Sequence, residues 1–353
     1  MSPHRIPAEV LSDLAADILR RHGVEAAPAR LVADSLVAAD LWGHQSHGVL
    51  RLPWYCARLR SGAMSATATP TPLIDQGPLL LLDAHDGIGQ VATEHARVQA
   101  VRRAKQHGVA VVGVRDSNHF GTAMFYARRA AAEGCVAILT TNASPAMAPW
   151  GGKEKRIGTN PWSIAAPGAD GGVLALDIAN TAVARGKIYL ARNQGTTIPD
   201  GWAMTSEGLP TTDPAEAIDG IILPMAGHKG YAISFMMDVL SGALTGSATG
   251  PRVHGPYEPT ARSGAGHLFV VIDVAAMGDR DAYAERIRQL VSDMHECPTA
   301  PGYDEIVVPG ELETRTEAAN RAAGGVVLPE QTMTDLLELA ALVGAPVPDA
   351  IND

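Results

Sequence analysis

What precedes the first strand constrains this chain most. Residues 8–22 place Val10, Leu11, Leu14, Ile18 and Leu19 on one helical face, with Gly23 as a stop. A second helical pattern over about 28–42 carries Leu31, Val32, Leu36, Val37 and Leu41 before Gly43. PWYCARLRSG supplies a third, with Pro53 near its first turn and Gly62 at its end. The tract SATATPTPL (65–73) has the small, proline-bearing composition of a connection. The first 75 residues therefore read as a helical lobe that stands before any sheet.

After the lobe the texture changes. Short β-prone runs occur at LLLLD (79–83), VAVVGV (109–114), CVAILTT (135–141), VLALDI (173–178), LFVVIDV (268–274) and EIVVP (305–309). Helical patterns separate some of them, at 90–107, 121–133 and about 229–245, which is α/β or α+β texture. The stretch 142–172, rich in Gly, Pro, Asn and Lys, reads as a long irregular segment, and loops of that length are usually functional or disordered. Gly87, Gly89 and Ala92 satisfy G-x-G-x-x-A after a strand, and Asp116 stands at about the distance a ribose-binding acid would. The preceding helices and the irregular alternation of later elements count against a dinucleotide fingerprint. The alternative is a turn that opens a surface helix.

Composition bounds the function. The chain has 353 residues, 46% hydrophobic, ample for a packed interior. Its net charge of −10, without a visible basic face, argues against nucleic acid as a partner. A local cluster of cations can still hold a small anion. Cys56, Cys135 and Cys297 form no CxxC pair, so a disulfide scaffold or thiolate zinc site is not expected. No apolar core of a signal peptide opens the sequence, and no apolar run reaches the roughly 18 residues of a membrane span. The expectation is a cytoplasmic protein without a membrane partner.

The reactive residue types concentrate in two places. Gly43-His44-Gln45-Ser46-His47-Gly48 is followed by Arg51, four residues after His47. A histidine exchanges protons near neutral pH, and an arginine grips a carboxylate through two parallel N–H···O bonds. Together they suit a 2-keto acid, whose carbonyl needs a proton and whose carboxylate needs a clamp. Ser46 either orients the imidazole or caps a helix. Asp116-Ser117-Asn118-His119-Phe120-Gly121 leaves the VAVVGV strand and offers Asn118 and His119 as hydrogen-bonding groups, although a turn with a capping histidine would use the same residues. His44, His47 and His119 raise a metal reading, but there is no H-E-x-x-H and no acid close to the pair, so no metal is expected.

Taken in order, GHQSHGVLR (43–51), SNHFGTA (117–123), GTNPWSIAAP (158–167), LDIANTAVARGK (176–187), IPDGWA (198–203), PTTDP (210–214), AGHKGYAISFMMDVLSGALTG (226–246) and PGE (309–311) resemble the malate/L-lactate dehydrogenase family. That family also holds ureidoglycolate and sulfolactate dehydrogenases, 2,3-diketogulonate reductase and piperideine/pyrroline-2-carboxylate reductase. The resemblance implies an NAD- or NADP-dependent oxidoreductase, a homodimer, acting on a small anionic 2-hydroxy or 2-keto acid, with reduction of a cyclic imine 2-carboxylate as the rival. It implies a mixed, largely antiparallel, non-Rossmann cofactor-binding sheet over 76–311, and a helical lobe over 1–75 joined by C-terminal helices in 312–353. It makes Gly87-Ile88-Gly89 a decoy. By motif, His47 is the proton donor or acceptor with Ser46 as its partner, and His119 takes that role in some members. Arg51 is the carboxylate clamp, with Asn118 and His44 as further substrate contacts. Thr159, Asp177, Ile178, Ala179, His228, Lys229, Gly310 and Glu311 fall on cofactor contacts.

Overall fold

The computed structural model describes residues 4–352. The lobe is built from α1 (Ala8–Arg21), α2 (Ala26–Leu41) and α3 (Leu52–Ser61). Leu11, Leu14, Ile18 and Leu19 of α1 and Val32 and Leu36 of α2 are buried in one apolar cluster, as their 3.6-residue spacing requires. Gly62, at φ +80°, ends α3 in the left-handed conformation that suits a residue without Cβ.

The body begins with β1 (Thr71–Gln76), β2 (Leu79–Asp83), α4 (Gly89–His107), β3 (Val109–Ser117), α5 (Met124–Ala132) and β4 (Cys135–Thr141). It continues through β5 (Trp162–Pro167), β6 (Val173–Ile178), α6 (Arg185–Gln194), β7 (Ala203–Met204), β8 (Pro210–Thr211), α7 (Pro214–Asp219), β9 (Ile221–Ile222) and α8 (His228–Asp238), which runs on into a π-helical turn, Val239–Ala243. Last come β10 (Ala265–Asp273), α9 (Val274–Met277), α10 (Arg280–His295), α11 (Glu311–Ala322), α12 (Glu330–Val343) and α13 (Asp349–Asn352).

Seven strands form one sheet in the order β1-β2-β3-β10-β4-β5-β6. Only β2 and β3 run parallel, joined by α4; every other neighbouring pair is antiparallel. This is the largely antiparallel, mixed sheet expected. β10 enters between β3 and β4, and its run from Ala265 to Phe269 is buried throughout, as a central strand covered on both faces must be. The small β8-β7-β9 sheet packs with α6 and α7 around Val183, Ile188, Ala203 and Ile222. Leu336 and Leu339 of α12 and Ile351 of α13 join the apolar cluster of α1–α3.

The structure corrects four local expectations. β1 lies across the end of the tract read as a connection; it is an exposed edge strand with a register shift between Pro72 and Ile74, so it has no apolar pattern to reveal it. β5 sits inside the 142–172 stretch read as loop. EIVVP (305–309) is not a strand; the Pro309 carbonyl accepts one hydrogen bond from Ala175 of β6 at 3.1 Å and no ladder follows. Finally, α4 is no surface helix. Gly89, Ala92, Ala96, Ala100 and Ala104 are buried against the sheet, and Ile88 joins the lobe's apolar cluster.

One buried carboxylate holds the turn that follows α2. Asp40 is 3% exposed, and its Oδ2 accepts the Val49 N–H at 2.9 Å. Gly48 is glycine because a Cβ there would fall on the Asp40 carboxylate. Burial pushes the Asp40 carboxyl up to about 7, against the pull of the Val49 N–H. A folded-state value raised above the unfolded one of about 4 means stability present at acid pH and lost as pH rises toward 7. Asp40→Asn keeps an acceptor for Val49 and removes the charge. The Tm of the wild type should therefore fall, relative to the variant, between about pH 4 and 7 and level off above that. A variant that is the less stable protein at pH 8 would show that the ionised carboxylate is stabilising.

Candidate active site

Two short 3-10 turns, Gln45–His47 and Val49–Arg51, carry the first reactive cluster, with Gly48 between them. Ser46 caps no helix. Its hydroxyl lies 2.9 Å from His47 Nδ1, which fixes the ring and leaves Nε2 without a protein partner among the described residues. Arg51 donates through Nε to the Ser46 carbonyl at 2.6 Å, and its guanidinium lies 4.4 Å over the Trp54 ring. The side of the fork is thereby spent on the backbone, and the terminal N–H groups remain for a ligand.

The second cluster leaves β3 and comes to face the first. The rings of His47 and His119 lie 5.7 Å apart, centre to centre, and within 18° of parallel. Both residues are half-buried by exposure, yet the packing around each ring still disfavours charge. Desolvation, then Arg51, then His44 lower the His47 imidazole to about 3. Desolvation, Arg51, His47 and His267 hold His119 well below the ordinary imidazole range. Both rings are therefore neutral at pH 7, and burial together with Arg51 makes a proton on either one costly. An anion that offset the Arg51 charge would lower that cost.

The expected cofactor residues collect around β6. Asp177 accepts Thr122 Oγ1 at 2.5 Å and the Met124 N–H at 2.8 Å, so it caps α5 and ties the His119 loop to β6. Ile178 and Ala179 follow at the end of the strand, half-buried. Asn180 donates to the Thr159 carbonyl from its backbone and side chain, both at 3.1 Å, and its own carbonyl accepts the Met225 N–H at 3.0 Å. The Met225 carbonyl in turn accepts the Gly230 N–H at 3.0 Å, which brings the start of α8, with exposed His228 and Lys229, to the same place. Gly310, at φ +94°, lies against the Ala175 backbone of β6, where a Cβ would sit 3.0 Å from the amide nitrogen. Glu311 is engaged at its own helix start, accepting from Val308 N at 2.9 Å and lying 3.1 Å from His295.

Two expected substrate residues are occupied otherwise. His44 pairs with Glu313 of α11 at 3.4 Å. Asn118 is 1% exposed; its amide donates to the carbonyls of Asp86 and Gly87 at 3.0 and 2.9 Å, and its oxygen accepts from Arg58 at 2.9 Å. With both amide protons bonded, it is a brace for the loop on which His119 sits. Sequence reasoning missed Tyr55, whose hydroxyl is 2.7 Å from His119 Nδ1, and the buried Arg58. Tyr55 follows Arg51 by four residues at the start of α3, a spacing that could have drawn attention to it.

Gly89 explains the glycine motif. A Cβ on it would meet the carbonyl oxygens of Asn118 and His119, so the start of α4 is closed by the His119 loop. The pyrophosphate of a Rossmann fold would need that ground.

Paired histidines thus stand beside an anchored arginine, on a mixed sheet with one parallel pair. Residues 6–337 match the family model for malate/L-lactate dehydrogenase, and the chain belongs to that family. It is 36% identical over 336 residues to the L-sulfolactate dehydrogenase of Methanocaldococcus jannaschii, covering 95% of this chain and 96% of that protein. The solved structure of the sulfolactate dehydrogenase from that organism superposes with a TM-score of 0.92 at 34% identity, over 97% of this chain and 98% of the other. The chain is also 37% identical over 325 residues to the (2R)-3-sulfolactate dehydrogenase (NADP(+)) of Chromohalobacter salexigens, covering 92% and 94%. To the ureidoglycolate dehydrogenase (NAD(+)) of Escherichia coli strain K12 it is 35% identical over 309 residues, covering 87% and 88%.

Gly89→Ala separates the two explanations of the motif. Backbone atoms cannot rotate away, so the added methyl must move the His119 loop, an overpacking cost of about 1–3 kcal/mol. Melting temperature and turnover should both fall, with the Kd for reduced cofactor within about threefold of wild type, well under 1 kcal/mol. Loss of cofactor affinity with turnover at saturation unchanged would restore the pyrophosphate reading.

Proposed function

We propose that this chain is an NAD(P)-dependent dehydrogenase of small 2-hydroxy acids, with His47 exchanging the proton and Arg51 holding the carboxylate. The observation that carries this is Arg51 itself: its Nε is fixed on Ser46, its ring-stacked plane is set, and its field reaches both histidines. A planar donor fork held beside two neutral imidazoles suits a molecule with a carboxylate next to an oxygen that gains or loses a proton.

The residues around β6 fit a dinucleotide. Arg185 Nε is buried without an acceptor among the described residues, and the start of α8 has no side-chain cap and carries an exposed Lys229. Thr159, Asp177, Ile178, Ala179, His228, Lys229 and Gly310 would hold the cofactor. When bound, its nicotinamide supplies or accepts the hydride. The relatives' names carry both NAD(+) and NADP(+), so either cofactor is admitted. In the oxidative direction His47 Nε2 takes the hydroxyl proton, with Nδ1 steadied by Ser46. In reduction it returns that proton. Such transfer contributes roughly 10²–10⁴-fold.

The reading extends to a cytoplasmic homodimer. Supporting a second copy, Phe235 and Met236 of α8 and Leu244, just past its π-helical turn, are each half or more exposed. Among the described residues no helix is long and apolar enough to cross a membrane.

The test is a panel of 2-keto acids bearing methyl, carboxylate, sulfonate or ureido substituents, beside cyclic imine 2-carboxylates, with NADH and NADPH. Consumption of reduced nicotinamide with the keto acids is expected. Turnover confined to the cyclic imines would make the protein an imine reductase, and none at all would defeat the proposal. With the keto acid found, Arg51→Lys loses a directed charge-assisted bond worth about 1.5–3 kcal/mol. KM should rise at least about tenfold and kcat should fall, with cofactor binding unchanged. Unchanged kinetics would move the clamp elsewhere.

A further inference from the structure

His119 has a hydrogen-bond environment that His47 lacks. The N–H of Gly121 donates to His119 Nδ1 at 3.2 Å, and the Tyr55 hydroxyl lies 2.7 Å from the same atom. A hydroxyl can turn round, but a backbone N–H cannot; it only donates. Nδ1 must therefore present its lone pair, and the proton of neutral His119 resides on Nε2, which has no protein partner among the described residues. Adding a proton to Nδ1 would set two N–H groups against each other. Either form that exchanges a proton at Nε2, the imidazolium or the Nδ1–H tautomer, requires that clash. His47 is free of it, because the partner of its Nδ1 is the Ser46 hydroxyl, which accepts as readily as it donates.

The surroundings agree. The groups facing His119 are Arg51, His47, His267 and Tyr55; the one fixed charge among them is positive, and Tyr55 is 1% exposed on a helix that packs within the lobe. Nothing there offers a carboxylate to stabilise a second proton.

Resting on the dehydrogenase reading, we propose that His119 is a fixed neutral hydrogen-bond donor to the substrate's C2 oxygen through Nε2–H, with Tyr55 as its positioning residue and His47 as the sole proton carrier. As the C2 carbon gains the hydride that a bound reduced nicotinamide would supply and the carbonyl π bond opens, the oxygen takes the proton of His47 Nε2, and the His47 imidazolium becomes neutral. His119 keeps its own proton throughout, and no bond to it forms or breaks. A donor fixed in advance stabilises charge developing on that oxygen without reorganising.

The first measurement needs no substrate. In the full chain labelled with 15N-histidine, long-range proton–nitrogen spectra identify His119 by the signals missing in His119→Gln. The expected pattern is neutral, protonated on Nε2 and unchanged between about pH 5 and 8, with Tyr55→Phe moving the Nδ1 resonance but not the proton. An Nδ1-protonated ring, or one that titrates within that range, overturns the proposal. The second measurement is kinetic. A glutamine amide can donate a hydrogen bond but cannot exchange a proton, so His119→Gln should lose about tenfold in kcat and His119→Phe about a hundredfold more. His47→Gln and His47→Phe should be equally crippled. Equal collapse of the two His119 variants would assign His119 the proton instead. Inactivity of the wild type on every keto acid would defeat the dehydrogenase reading, while the spectra would still decide the tautomer.

Discussion

Gly89 lets the first turn of α4 lie against the backbone carbonyls of Asn118 and His119, closer than a side chain would allow. Around that contact the lobe and the sheet become one site. Ile88, one residue before, joins the lobe's apolar cluster, while α4 itself covers the sheet. Asn118 fastens the loop to Asp86 and Gly87, and Arg58 reaches from α3 to hold Asn118. His119 is thereby presented to His47 by hydrogen bonds to two segments distant in sequence, the turn at Asp86 and Gly87 and the helix α3. A motif that binds pyrophosphate in other folds here brings two backbones together.

The electrostatics follow from this crowding. Arg51 is fixed at its Nε, stacked on Trp54, and close enough to discourage charge on both imidazoles. A neutral pair beside one guanidinium favours a ligand that brings its own negative charge. Such a ligand also offsets the field that holds His47 down, which couples carboxylate binding to the availability of a proton. Asp40 does not add a counter-charge to the pair; its contribution is geometric, holding Val49 and so the turn between His47 and Arg51.

Much of this was legible in the residues. The apolar stripes of α1 and α2, the strands at 79–83, 135–141 and 173–178, and the reactive types in 44–51 and 117–121 follow from periodicity and side-chain chemistry. β1 was hidden because an edge strand exposed along its whole length has no buried face to pattern, and β5 because proline and glycine flank it. The strand expected at 305–309 failed because β-prone residues make a ladder only where a partner edge is aligned with them. The brace of Asn118 and the Tyr55–His119 contact depend on approaches between segments about 30 to 60 residues apart, which no local pattern encodes. The neighbour that requires glycine at 89, the backbone of Asn118 and His119, lies on another loop and leaves no local signal.

The central claim is that this site places hydride on the carbon beside the carboxylate while a histidine serves the oxygen. Following an isotope tests it most directly. With reduced cofactor carrying deuterium in the transferred position at nicotinamide C4 and a 2-keto acid substrate, the product should be the 2-hydroxy acid with one deuterium bound to C2, seen by NMR and mass spectrometry. A hydroxy acid with no deuterium at C2, or cofactor oxidised without a hydroxy acid formed, would contradict the account.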